Sequence, residues 1–203
     1  MDKIINRIYS NIKRNQSLSN DVLKIYNHSP EIKEPILVDS YNNSLIDVVK
    51  DMASDFDTVC VCVKATDYTN HKLPGKDLEQ ILVSLLEEAN GDIEKAKRGI
   101  VIMNGIDSLY VQNVVGVSTI LKNELPTFIH GNTYRIKYYD TDIDFDTTNV
   151  TVIGKGNFSH ISDEKLDYNC TTSKYLGGFQ EVLRAKDLEF KSDKNNKKLV
   201  KQK

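Results

Sequence analysis

The chain has 203 residues, 39% hydrophobic and 28% charged, and its 27 Lys and Arg against 29 Asp and Glu leave a net charge of −2. That length suits one domain with a real core plus tails, and that balance excludes a bulk polyanion binder. No apolar run approaches the ~20 residues of a membrane helix, and MDKIINRIYSNIKRN, charged from its second residue, is not a secretory signal.

Residues 2–27 have helical spacing: Ile4, Ile5, Ile8, Tyr9 and Ile12, then Val22, Leu23, Ile25 and Tyr26. The polar NQSLSND stretch, with Asn20 or Asp21 as N-cap, splits them into two helices and defines an N-terminal helical segment, 1–30. NHSPEIKEP, with two prolines, is a loop. Pro35–Val38 is a short buried strand, and Ser44–Ser54 an amphipathic helix. TVCVCVK (Thr58–Lys64) is a β-branched strand on which Cys60 and Cys62 face the same way, as buried hydrophobes.

Lys76–Asn90 is the clearest helix, with Leu78, Ile81, Leu82, Leu85 and Leu86 in one stripe and Asn90-Gly91 ending it. Asp92 starts a short charged helix, DIEKAKR. Gly99–Met103 is the third strand, and Tyr110–Asn123 reads as helix. Phe128-Ile129-His130, a Gly131-Asn132 turn and Thr133–Tyr139 suggest a hairpin. Asn149–Gly154 is the fourth strand. After Ile161 the pattern fades until LGGFQEVL, and the chain closes in a lysine-rich tail, 186–203, expected to be solvated and disordered.

Short apolar strands alternating with helices predict an α/β layered sheet with its ligand edge at the strand C-termini. The other chemistry-bearing residues are sparse. Cys60, Cys62 and Cys170 form no CxxC, and His28, His71, His130 and His160 are scattered, so no metal site is expected. The scarcity of cysteine fits a reducing interior: the cytoplasm, or the inside of a host cell for a viral protein.

From Lys64 to Asp107 the sequence becomes specific. ATDYTNHKLPGKDLEQILVSLLEEANGDIEKAKRGIVIMNGID resembles the AAA+ unfoldase family of ClpX. Gly75, Asp77, Leu85, Asp92, Lys95, Ala96, Arg98, Gly99, Ile100, Val101, Ile106 and Asp107 match its pattern in order without a gap. EPILVDSYNNSLIDVV falls at the Walker A strand, loop and helix, NVTVIGKGNF at the sensor-1 strand, and YLGGF near the loop through which ClpX docks on the ClpP peptidase. The resemblance implies a three-layer αβα sandwich of AAA+ type over residues 31–185, with a mostly parallel sheet and a small β-hairpin insertion. No zinc-binding N-domain, arginine-finger segment or small C-terminal subdomain is expected.

The departures from that pattern bear on the chemistry. A P-loop needs glycines to wrap the phosphates in backbone N–H groups, Lys for their charge and Ser or Thr for magnesium. Here Asp39-Ser40-Tyr41-Asn42-Asn43-Ser44 stands in that place without glycine or lysine, and Ser44 alone matches the hydroxyl position. Asn104 stands where the resemblance puts the magnesium-associated Asp, and Gly105 where it puts the Glu that activates water. Asp107 survives, but is not the hydrolytic carboxylate of this family. A neutral amide serves a hard cation poorly, and glycine accepts no proton.

The pore-loop position is Lys72-Leu73-Pro74-Gly75, with Leu73 for the aromatic paddle. Leu176-Gly177-Gly178-Phe179 is a candidate docking loop. Binding of ATP with magnesium is therefore not expected. The expected function is that of a ClpX-like pseudo-ATPase with an interaction or regulatory role and a protein partner, a ClpX or ClpP-type subunit. No specific nucleic acid and no membrane partner is expected, and the chain should be a monomer or small oligomer. Two alternatives stand beside it: a structural or assembly protein reusing the scaffold, and a nucleotide-dependent chaperone subunit with atypical ATP binding.

Overall fold

The structure, a computed structural model, describes residues 2–17, 36–39, 43–68, 77–110, 117–157 and 181–184. The elements in chain order are α1 (Asp2–Ser17), β1 (Ile36–Asp39), α2 (Ser44–Asp55), β2 (Cys60–Lys64), α3 (Glu79–Glu88), α4 (Ile93–Lys97) and β3 (Ile100–Asn104). Then come α5 (Val117–His130), β4 (Thr133–Tyr138), β5 (Thr141–Asp146), β6 (Thr151–Gly156) and β7 (Glu181–Arg184). Single 3-10 turns at Ala65–Asp67 and Ile106–Tyr110 follow β2 and β3.

Five strands lie side by side in the order β2-β3-β6-β1-β7, all parallel. A parallel sheet must be covered on both faces, because its crossovers place helices there. The sequence supplies apolar residues at consecutive positions to match: Ile100, Val101, Ile102 and Met103 of β3 are all at most 1% exposed. Strand pairing sorts them into rows. Cys62, Ile102, Ile153 and Ile36 lie across one face, and Val63, Met103, Gly154 and Leu37 across the other.

On the first face Ile8 and Ile12 of α1 and Leu45, Val49, Met52 and Ala53 of α2 pack against Val38, Cys60, Ile100, Ile102 and Ile153. On the second, the Ile81, Leu82, Leu85 and Leu86 stripe of α3 and Leu125, Phe128 and Ile129 of α5 meet Val61, Val63, Val101, Met103 and Val152. Ile136 and Phe145 of the β4–β5 hairpin extend that second core. This is the expected three-layer αβα sandwich with a parallel sheet and a hairpin insertion. No helix among the described residues is long and apolar enough to cross a membrane.

The step from β1 to β2 crosses two strands and carries α2 on the first face. The steps from β2 to β3 and from β3 to β6 run back the other way and carry α3 to α5 on the second. The connection that follows β1 and the one that leads into β6 therefore lie on opposite faces, and the carboxyl ends of such neighbouring strands are where ligands of such sheets bind.

Several local expectations are met. Asn90 (φ 52) and Gly91 (φ 83) end α3, and the Asp92 carboxylate caps α4 by accepting from the Lys95 N–H at 3.0 Å. Others are corrected. Phe128-Ile129-His130, expected in the first hairpin strand, is the last turn of α5, which runs through Pro126. Leu125, Phe128 and Ile129 are fully buried at helical spacing, and a short apolar run does not by itself tell strand from helix.

The hairpin forms after it and turns at Tyr139-Asp140, with Tyr139 at φ 50, rather than at Gly131-Asn132. Tyr-Asp lacks the Gly or Asn that normally announces such a turn. Cys62 shares the face of Cys60 but is exposed: β2 is the outermost described strand on that side, and of the two only Cys60 belongs to the core formed with α1 and α2. Strand β7, parallel to β1, was not anticipated within LGGFQEVL. The second N-terminal helix, Cys170, His28, His71 and His160 lie outside the described residues.

Two predictions come from this packing. A Cβ on Gly99 would lie 2.6 Å from Leu85 Cδ2 and 2.8 Å from the Ala96 carbonyl oxygen. Gly99→Ala should therefore cost about 1–3 kcal/mol in urea unfolding, and Leu85→Ala should not restore it, since the backbone contact remains. Burial pushes the Cys60 thiol up to about 12, so only roughly one molecule in 10,000 carries its thiolate at pH 8. Maleimide at that pH should label Cys62 well before Cys60 in the folded protein.

Candidate functional site

The carboxyl ends of β1, β6 and β3 stop side by side, with Asp39 opposite Gly156, and Val38, Lys155, Asn104 and Lys64 in one row. That register brings the residues anticipated from two distant stretches to one edge. Asn43 precedes α2, Asn104 ends β3, and Gly105 and Asp107 open the 3-10 turn that follows. Of Asp39 and Ser44 only the backbone is described. Ser40, Tyr41 and Asn42 lie outside the described residues, as do Lys72, Leu73, Pro74 and Gly75, and Leu176, Gly177, Gly178 and Phe179.

At the centre of the edge is Lys155, 3% exposed on a strand whose six residues are all buried. Its Nζ donates to Asn43 Oδ1 at 3.4 Å and to Asn104 Oδ1 at 3.3 Å. Among the described side chains no carboxylate forms an ion pair with it. An ammonium taken out of water must find oxygen atoms, and here two neutral amides supply them. Asparagine before a helix normally accepts from the first-turn N–H groups. Asn43 makes no such cap, and its amide oxygen faces the ammonium instead. The field of Lys155 reaches Cys62, where it and Lys50 partly offset the upward push of burial on that thiol.

Gly105 is held by its own peptide. Its N–H donates to the Lys155 carbonyl at 2.8 Å, and its carbonyl accepts from the Ser108 N–H at 3.2 Å and Ser108 Oγ at 2.7 Å. This turn sets Gly105 at φ +74, the left-handed region that side-chain-bearing residues avoid. Ile106, fully buried, pins the turn to the core. Asp107 lies over Gly156: a Cβ on that glycine would overlap the Asp107 carboxylate and stand 2.9 Å from its Cβ. Close approach of a side chain to the end of β6 thus requires glycine there.

The arrangement can hold a cation of its own. It offers no proton acceptor at Gly105, and among the described residues no three His, Cys, Asp or Glu side chains gather as a metal would need. Lys155 is the site residue that the sequence did not single out. The available signal was a lysine between two glycines, GKG, closing an otherwise apolar strand. The turn yields a prediction: Gly105→Ala should lower stability by about 1–2 kcal/mol in chemical denaturation, although nothing lies within 4 Å of the added Cβ. A loss arising from backbone alone should be the same for Gly105→Ser.

No protein family model matches the chain. Part of it is similar to the ATP-dependent Clp protease ATP-binding subunit ClpX of Treponema denticola, 28% identical over 98 aligned positions that cover 42% of this chain and 24% of that protein. The region of similarity thus spans about a quarter of that relative's length. The similarity supports a distant ClpX-like, AAA+ relationship, and the parallel αβα sandwich is consistent with it.

Proposed function

We propose that this chain is a catalytically inactive ClpX-like pseudo-ATPase that acts by binding, as an interaction or regulatory protein of a ClpX- or ClpP-type machine. The observation that carries the proposal is the end of β3. Hydrolysis needs a carboxylate near the metal and a group that orients or deprotonates water. Asn104 brings an amide whose oxygen already accepts from Lys155, and Gly105, at φ +74, brings no side chain. The Asp39–Ser44 stretch adds no glycine and no lysine to receive phosphate.

The partner class rests on the similarity to ClpX. A domain of that fold can offer a ring subunit or its peptidase some of the surface that a genuine subunit offers, without the turnover. Its effect on proteolysis is then stoichiometric: it occupies a position instead of cycling through it.

Calorimetric titration with ATP and magnesium, and with ADP, tests the loss of nucleotide chemistry; mixing with purified ClpX and ClpP tests the partner. The expected result is no saturable heat and no thermal shift at millimolar nucleotide, with saturable binding to one of the two Clp proteins. Light scattering should report a monomer or small oligomer. Saturable nucleotide binding would favour the chaperone-subunit alternative. Self-assembly without Clp binding would favour the structural one.

A further inference from the structure

We infer that the Lys155 ammonium is a resident cation that ties the start of α2 to the end of β3, so that this edge is set without nucleotide or metal. The inference deepens the pseudo-ATPase reading, on which its consequence for binding rests: the surface offered to a partner does not change with nucleotide.

The hydrogen bonds of Lys155 join positions 112 and 51 residues away along the chain, one on the loop before α2 and one on β3. The strand ladder already fixes β1, β6 and β3 to one another. The start of α2 is not part of that ladder, and among the described side chains the Lys155–Asn43 contact is the polar link that crosses from α2 to β6. Each bond is long, but Lys155 is itself 3% exposed, and a buried ammonium gains more from two amide oxygens than the same contacts would give at the surface.

The same geometry accounts for selectivity. A divalent ion between Asn43 and Asn104 would have amide oxygens rather than carboxylates as ligands and would meet the ammonium at contact distance. The tethered cation is always present and needs no uptake from solution. It gives the edge one state where a nucleotide-dependent edge has several.

The test is chemical rescue. Lys155→Ala should melt at lower temperature than the parent protein, and hydrogen exchange over residues 44–47 should rise roughly tenfold, as expected for a local opening. n-Propylammonium should restore most of both losses, and n-propanol, of the same shape without charge, should not. Equal rescue by the two, or no change on substitution, overturns the inference.

A second measurement uses the unaltered protein, and so holds even if the alanine variant fails to fold. An N-hydroxysuccinimide ester should acylate Lys155 about two orders of magnitude more slowly than the exposed Lys64 of the same row. Equal rates overturn the inference. Neither readout involves nucleotide or a Clp protein. Failure here would leave the pseudo-ATPase reading standing, and nucleotide binding would overturn that reading without touching these results.

Discussion

A buried ammonium has to be met by oxygen atoms, and in this protein that requirement organises the ligand edge of the sheet. Lys155 closes a strand buried along its whole length. The neighbouring strand contributes Asn104, and the loop before α2 contributes Asn43. The asparagine that would cap the helix is drawn away from it, and the asparagine that ends β3 faces a lysine. Each of these choices would be odd alone. Together they satisfy one charge at the carboxyl edge of the sheet, where open α/β sheets generally bind their ligands.

The centre of the sheet was legible in the sequence because β3 and β6 are buried on both faces. A run such as GIVIM has too many apolar residues in a row for a half-exposed strand, whereas VCVCV reads the same way but lies at the edge, with Cys62 exposed. The α3 stripe and its Asn90-Gly91 stop were legible for the same reason: periodicity and turn chemistry agreed. Reading failed where they conflicted. Phe128-Ile129-His130 reads as strand beside the Gly131-Asn132 turn signal, yet Leu125, Phe128 and Ile129 bury as one helical stripe that runs through Pro126. Tyr139-Asp140 turns a hairpin with no glycine to mark it, and Tyr139 takes the left-handed backbone at 82% exposure. Burial against the sheet decided the helix, and burial is not visible in local sequence.

The candidate site was half legible. Asn104, Gly105 and Asp107 could be placed because an apolar strand pointed at them, and the fold brings that strand's end beside the loop before α2. Lys155 could not be placed, because its role depends on the parallel register of β3, β6 and β1, which pairs residues far apart in the chain. A lysine in a sequence is by default a surface residue. Only its row in the sheet shows that it points inward, toward two amides rather than toward water. Gly105 is a related case. Its identity suggested lost chemistry, and its backbone shows that the position now also serves a tight turn fixed by Ser108.

At the carboxyl edge of β1, β6 and β3 the described polar groups meet one another: Lys155 donates to Asn43 and Asn104. On the proposed reading that mutual satisfaction stands in place of a ligand. The most direct test of that claim is a crystal structure of the protein grown with millimolar magnesium and a slowly hydrolysed ATP analogue. The account predicts the Lys155 ammonium between Asn43 and Asn104, with no phosphate at the start of α2. A phosphate seated there, with the lysine displaced or bound to it, would contradict it.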